Sequence, residues 1–507
     1  MEKFFCGLGE LRADWESPQD TIPQEQHFPS RSRPGTLAAW LLAWKKMPES
    51  SPALRRELGL RDMVLFNVAA VVSIRWLATA AHIGPGSLGL WAGAAIFFFV
   101  PLALAVAGLT AKFPQEGGIY TWTGISFGEW HGFLCGWCYW LSNLFFFPNL
   151  LLAGIGMALY SLFPGNQALA DSRILVVSVS IAALWIALVT NLVGLQIGKW
   201  NQNLGAVATC VVGAVIILAG LMAFLRHGGA TPIRVMPVWN WSNLNFWSQI
   251  AFAFGGLELG SVMSGEIRDP ERTVRRAAWI SCLAIGGFYI LGTFSILALL
   301  PPESISVVTG LAQAGDAAAR QWGVPWLTPF LGCLIVVGIM GQFGAWLGGS
   351  ARLAFSIGLD SYLPASFGKL HPRWHTPHVA LLTMGIASTV FLVLMQFGES
   401  LRTGYQLLVD MTVVSYFIPF VYLFGAAWKH GYRWSAASGM AVTLAGIAFS
   451  FVPPGDVQSV WLFELKMLGS TAALVGTGWL FFVRGRRKRS TVEPAELVGA
   501  AGPSQPR

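Results

Sequence analysis

The stretch WSQIAFAFGGLELGSVMSGEIRDPERTVRRAA, residues 247–278, decides the fold. It opens as an apolar helix, breaks at Gly255-Gly256, and carries Glu258 at a depth where hydrocarbon disfavours a charge. It resumes from Leu259 to Ile267 and ends in a loop with Arg268, Arg272, Arg275 and Arg276. Glycines, a lone acid and the small Ser261 in mid-span mean that the backbone opens there. Groups freed at that depth survive only where they line a cavity or meet a ligand. The competing reading is a glycine pair that lets two helices pack closely, with Glu258 neutral or paired. An intramembrane carboxylate is functional by default, which favours a substrate site.

The rest of the chain supplies the bilayer context. Of 507 residues 54% are apolar and only 11% charged, against about a quarter charged in soluble domains, so a water-facing surface cannot be built. Apolar runs of about 20 residues, each able to cross about 30 Å of hydrocarbon, recur between 62 and 485. Twelve spans are expected, near 63–83, 88–109, 131–163, 174–195, 203–225, 247–267, 279–300, 327–349, 377–397, 407–428, 434–453 and 464–483. The fold class is therefore an all-α polytopic membrane protein.

The net charge of +8 does not point to nucleic acid, because Lys and Arg concentrate in alternate loops. With the N-terminus inside, nineteen lie on internal loops and flanks, the basic tail Arg484 to Arg489 included, against six outside. This is the positive-inside pattern and places both termini in the cytoplasm, with the chain in the cell membrane. No apolar core of signal-peptide type opens the chain, so the first span is expected to direct insertion. Residues 1–60 read as a mostly disordered tail, with a short interfacial run or sticky patch at Leu37 to Trp44. Residues 61–430 read as the core, 431–485 as two further spans, and 486–507 as a basic, disordered tail. Five of the six cysteines fall in spans, so no disulfide framework is expected. Cys135-Gly-Trp-Cys138 has metal or redox spacing, but no second pair accompanies it, and packing is the simpler reading.

Span one is interrupted too, at Ser73-Ile74-Arg75 before Trp76. Spans one and six are five apart and cross in opposite senses, the signature of a five-plus-five inverted repeat with a site at its centre. Half-helix ends offer N–H groups to a carboxylate and C=O groups to an ammonium, so a small zwitterion is the natural guest. Arg75 cannot shed its proton and needs a partner. Glu258, exposed carbonyls and a substrate carboxylate are the three available.

Three motifs, FPQEGGIYTW (113–122), FAFGGLELGSVMSGEIRDPERTV (252–274) and GAWLGGSARLAFSIGLDSYLP (344–364), carry a resemblance. Over roughly 60–485 the chain resembles the amino acid/polyamine/organocation transporters. EGGIYTW and FVPPGDVQ…FEL (451–465) look most like the bacterial glutamate/GABA antiporter branch. The resemblance implies twelve helices, a LeuT-like core of spans one to ten, and alternating-access movement of amino acids or amines by exchange or with protons. It implies no cofactor and no metal. Substrate backbone groups would be held at Val72 to Trp76, that is around Ser73, Ile74, Arg75 and Trp76, and at Phe254, Gly255, Gly256 and Glu258. Phe252 and Trp346 would be gating aromatics, with ordinary core packing as the alternative. The chain departs from the family in having Ser73-Ile74-Arg75 for a glycine-serine-glycine, Ala208-Thr209 where many members carry a lysine, and Gln342 where glutamate antiporters carry an acid.

A membrane-embedded enzyme or a non-transporting sensor on the same fold is the alternative. The eight histidines lie in the tail, loops or span ends without a carboxylate at helical spacing, which disfavours an enzyme. No phosphate loop appears, so ATP-driven transport is not expected. The oligomeric state is not written in the sequence.

Overall fold

The computed structural model describes residues 58–113, 117–193, 195–232, 235–237, 241–262, 267–359, 362–374, 376–394, 396, 400–453 and 459–499. The run Leu37 to Trp44, Pro114-Gln115-Glu116, residues 263–266, His375 and residues 454–458 lie outside them. The described chain is almost entirely helical, with one isolated bridge between Leu58 and Ile267.

The elements in chain order are α1 (Leu60–Val71), α2 (Arg75–Ile83), α3 (Ser87–Lys112), α4 (Ile119–Phe127), α5 (Glu129–Leu162), α6 (Arg173–Val193), α7 (Leu195–His227) and α8 (Leu244–Phe252). After them come α9 (Leu259–Val262), α10 (Pro270–Leu299), α11 (Gly310–Trp322), α12 (Leu327–Leu359), α13 (His378–Leu394), α14 (Leu401–Lys429), α15 (Arg433–Ser450) and α16 (Val460–Gly499). Among the described residues eight helices are long and apolar enough to cross a membrane, or nine if α1 and α2, bent by 50°, count as one. This is a multi-pass membrane protein.

Burial separates centre from periphery. The apolar window of α5 is 94% buried, whereas those of α6 and α16 are 28% and 22% buried. Ile174, Ile186, Trp461 and Leu465 stand exposed on the outer helices, the face that hydrocarbon would cover. Where α7 crosses α12, a Cβ on Gly205 or on Gly341 would come within 2.6 Å of the other's Cα. Small residues here let two backbones meet, as in membrane helix pairs.

Several stretches differ from the sequence expectation. Residues 110–130, left between expected spans two and three, contain α4, whose Tyr120, Trp122 and Thr123 are buried. Residues 301–326, left between expected spans seven and eight, contain α11. The last helix runs on to Gly499, past the basic residues at which a disordered tail was expected to begin. In α3 a π-helical turn spans Ala95–Phe99, and Ser438 Oγ donates to the Phe97 carbonyl at 2.7 Å. That turn buries Phe98 and Phe99 and stacks Phe99 on Phe254 at 4.6 Å.

Candidate functional site

Span one breaks where Val72 turns extended (φ −70°, ψ 110°) and α2 restarts at Arg75. The break strips Ala70, Val71 and Val72 carbonyls of their helical donors, and at this depth each needs another. Side chains from distant helices supply them. Trp346 Nε1 donates to Ala70 O at 2.8 Å, and Gln342 Nε2 reaches Ala70 O at 3.3 Å and Val72 O at 3.2 Å. An ionised acid at 342 could only accept, so the glutamine matches this task.

Tyr289 on α10 joins the two breaks. Its hydroxyl accepts from Ser73 N at 3.1 Å and donates to Val71 O at 2.7 Å, with Ala253 O of the span-six break at 3.1 Å. Trp91 stacks on the Tyr289 ring at 4.3 Å and 6°, and its own N–H is held by Thr293 Oγ1 at 2.9 Å. The two interruptions therefore lie side by side.

In span six α8 ends at Phe252 and α9 begins at Leu259. Gly256 has φ +119°, a conformation that side chains resist, and a Cβ there would meet Trp346, Val71 and Ala70 O at 3.1–3.3 Å. Gly256→Ala is expected to destabilise the fold by about 1–3 kcal/mol through strain and crowding. Thermal unfolding in detergent checks this, and an unchanged midpoint would mean that the break adapts. The Gly256 N–H donates to Glu258 Oε2 at 3.1 Å. Glu258 Oε1 accepts from Tyr139 Oη at 2.7 Å and from Tyr416 Oη.

Arg75 and Glu258 thus form no pair: the acid is occupied by two tyrosines and a backbone N–H. Arg75, 1% exposed, donates through Nη1 to Asn149 Oδ1. Its guanidinium lies 4.3 Å from the Trp76 ring centroid and 5.2 Å from that of Phe146, cation–π contacts that partly offset desolvation. Asn149 is oriented by its own amide, which donates to Phe145 O at 3.0 Å and Thr412 Oγ1 at 2.9 Å. Among the described residues Arg75 Nε and Nη2 make no hydrogen bond of good geometry, and the Tyr405 hydroxyl is the polar group that faces and interacts with the guanidinium. A buried arginine with no carboxylate among its described partners suits a planar anion.

Phe252 sits between the breaks, edge-on to Trp76 at 5.7 Å and to Tyr416 at 5.2 Å. Trp346 packs on Phe146 at 4.9 Å as well as holding Ala70 O. Ser73 and Ile74 are buried in the break, and Gly255 lies against Tyr416. The Phe254 ring is enclosed by Phe99, Trp91 and Tyr289. Sequence reasoning does not reach Tyr139, Tyr289, Tyr416 or Asn149, which look like ordinary span residues. Asp410 carries a usable signal, an acid inside the apolar run LLVDMTVV, and is fully buried on α14. Cys135 and Cys138 are buried and free, and no group of three or more potential metal ligands occurs among the described residues.

A bundle of apolar helices with two adjacent interrupted spans and a buried polar centre defines a multi-pass membrane protein with an internal polar site. The amino acid permease family matches residues 58–468, and the chain belongs to that family. An uncharacterized transporter of Legionella pneumophila is 27% identical, covering 84% of this chain and 97% of its own. The serine/threonine exchanger SteT of Bacillus subtilis is 25% identical over 73% of this chain and 83% of its own. The glutamate/gamma-aminobutyrate antiporter of Lactococcus lactis is 23% identical over 71% and 77%. The protein is a membrane transporter for small molecules and not an enzyme.

Proposed function

We propose that the protein moves amino acids or closely related amines across the cell membrane by alternating access, as an exchanger or with protons. The observation that carries this reading is the pair of adjacent helix breaks clamped by Tyr289, beside a buried arginine whose described partners include no carboxylate. Those backbone groups of Ser73 to Trp76 and Phe254 to Glu258 that Tyr289 and Glu258 do not already hold take the substrate's amino and carboxylate groups, and Arg75 takes a carboxylate. Helices at each expected span position support twelve spans in a five-plus-five repeat followed by two more. The core is 61–430 and the added spans are 431–485, and the bias of Lys and Arg supports cytoplasmic termini. The named substrates of the relatives in Bacillus and Lactococcus, serine, threonine, glutamate and gamma-aminobutyrate, support the substrate class.

Uptake and exchange of a radiolabelled amino-acid panel by purified protein in liposomes is the test. Absence of transport of every amino acid and amine under any gradient would remove this assignment. Phe252 covers the junction of the breaks as a gate. Phe252→Ala is expected to weaken substrate affinity about tenfold, the effect of losing roughly 1.4 kcal/mol of contact, with near-normal protein yield. Unchanged affinity would take Phe252 out of the gate.

A further inference from the structure

A second polar centre lies apart from the breaks, between α8 and α14. Asp410 is fully buried, and its Oδ1 accepts from Gln249 Nε2 at 3.3 Å and Gln406 Nε2 at 3.5 Å. Both carboxamides also donate to Asn245 Oδ1 at 2.8 Å, and Asn245 Nδ2 donates to Val452 O at 3.2 Å, just past the end of α15. Among the described residues Asp410 Oδ2 and Gln249 Oε1 have no hydrogen-bond partner. Among the described residues no ion pair reaches the carboxyl: Asn245 and Gln249 face it from α8, Gln406 lies one turn away on α14, and Tyr405 is a titratable neighbour. Arg75 interacts with Tyr405 on the other side of that ring.

An ionised carboxylate buried with amides alone costs several kcal/mol. A proton removes that charge and turns Oδ2 into a donor, for which the neighbouring Gln249 Oε1 is an acceptor lacking a donor. The file Val452–Asn245–Gln249 connects the centre to the external ends of α8 and α15 in the orientation proposed above. α8 is the outer half of broken span six, and the gate residue Phe252 stands at its inner end.

We propose that Asp410, caged by Asn245, Gln249 and Gln406, is the proton-binding site of the transport cycle. It takes a proton from external water while α8 and α14 stand apart, holds it while they are closed, and gives it up to internal water once the inward-facing state opens, so that one proton crosses with each substrate. The closed arrangement is thereby favoured by external acid, because it exists in the neutral form and the open one hydrates the carboxylate. This inference rests on the transport reading and adds the coupling ion and its site.

The test uses the full chain in liposomes, with a substrate from the panel and the membrane potential clamped. The parent protein is expected to accumulate substrate when the outside is acid, up to about tenfold per pH unit for one proton. Asp410→Asn is expected to lose that accumulation and keep exchange at equal pH. Infrared difference spectra in detergent cover the case of an unfolded Asp410→Asn. The parent should show a protonated-carboxyl band that bleaches with alkali and moves in frequency in Asp410→Glu. A parent indifferent to the pH gradient, an Asp410→Asn protein that still follows it, or a band that Asp410→Glu leaves in place would overturn the proposal. A sodium gradient that drives uptake through Asp410 would overturn it too, making the cage a metal-cation site. A chain that moves no amino acid but shows the band would sink the transport reading and leave the proton site standing.

Discussion

Arg75→Met is expected to weaken binding of carboxylate-bearing substrates by roughly ten- to a hundredfold, the loss of about 1.5–3 kcal/mol of charge-assisted hydrogen bonding. Folded yield should hold. The guanidinium has no carboxylate partner, so methionine removes a buried lone charge whose desolvation costs several kcal/mol. What is given up is the bond to Asn149 Oδ1 and the contacts with Trp76 and Phe146, the latter partly replaced by the methionine stem. Arg75→Lys separates charge from shape, since an ammonium cannot present two parallel donors, and it should recover only part of the affinity. Substrate titration and thermal unfolding on the same preparations decide the point. A variant that unfolds early yet binds normally would make Arg75 a brace between α2 and α5.

Tyr289→Phe is expected to cost on the order of 3 kcal/mol of stability, from the one oxygen atom removed. That hydroxyl is the partner of Ser73 N–H and of the Val71 carbonyl, and it reaches Ala253 O across the junction. Phenylalanine keeps the stack on Trp91 but leaves buried backbone groups in both breaks without the partner that holds them together. Transport should collapse together with thermal stability, because both half-helices lose their common anchor. Parental stability in Tyr289→Phe would show that the breaks are held by other groups.

The membrane class, the interruption of spans one and six and the placement of Glu258 inside one of them are legible from the chain alone. Each is a local property: hydrocarbon demands long apolar runs, and glycines or polar residues within such a run mark an opened backbone. The same criterion applied to LLVDMTVV reaches Asp410. Helices α4 and α11 are harder to read, because short amphipathic helices lack the length that separates a span from a connecting segment.

Partner choice is another matter. The sequence offered Arg75 three partners, one of them Glu258; the tertiary structure gives the acid to Tyr139, Tyr416 and Gly256 N–H, and the arginine to Asn149 and two aromatic faces. Tyr289 lies 216 residues from Ser73, and Trp346 lies 276 from Ala70. No local pattern connects positions that far apart. The amino-acid sequence by itself determined that the backbone must open in two spans, because residue type alone makes a continuous helix there unfavourable. Only the tertiary structure decided which side chains meet the opened groups. A hydrogen bond is confined to about 3 Å and a narrow range of angles, and the packing of whole helices sets that geometry.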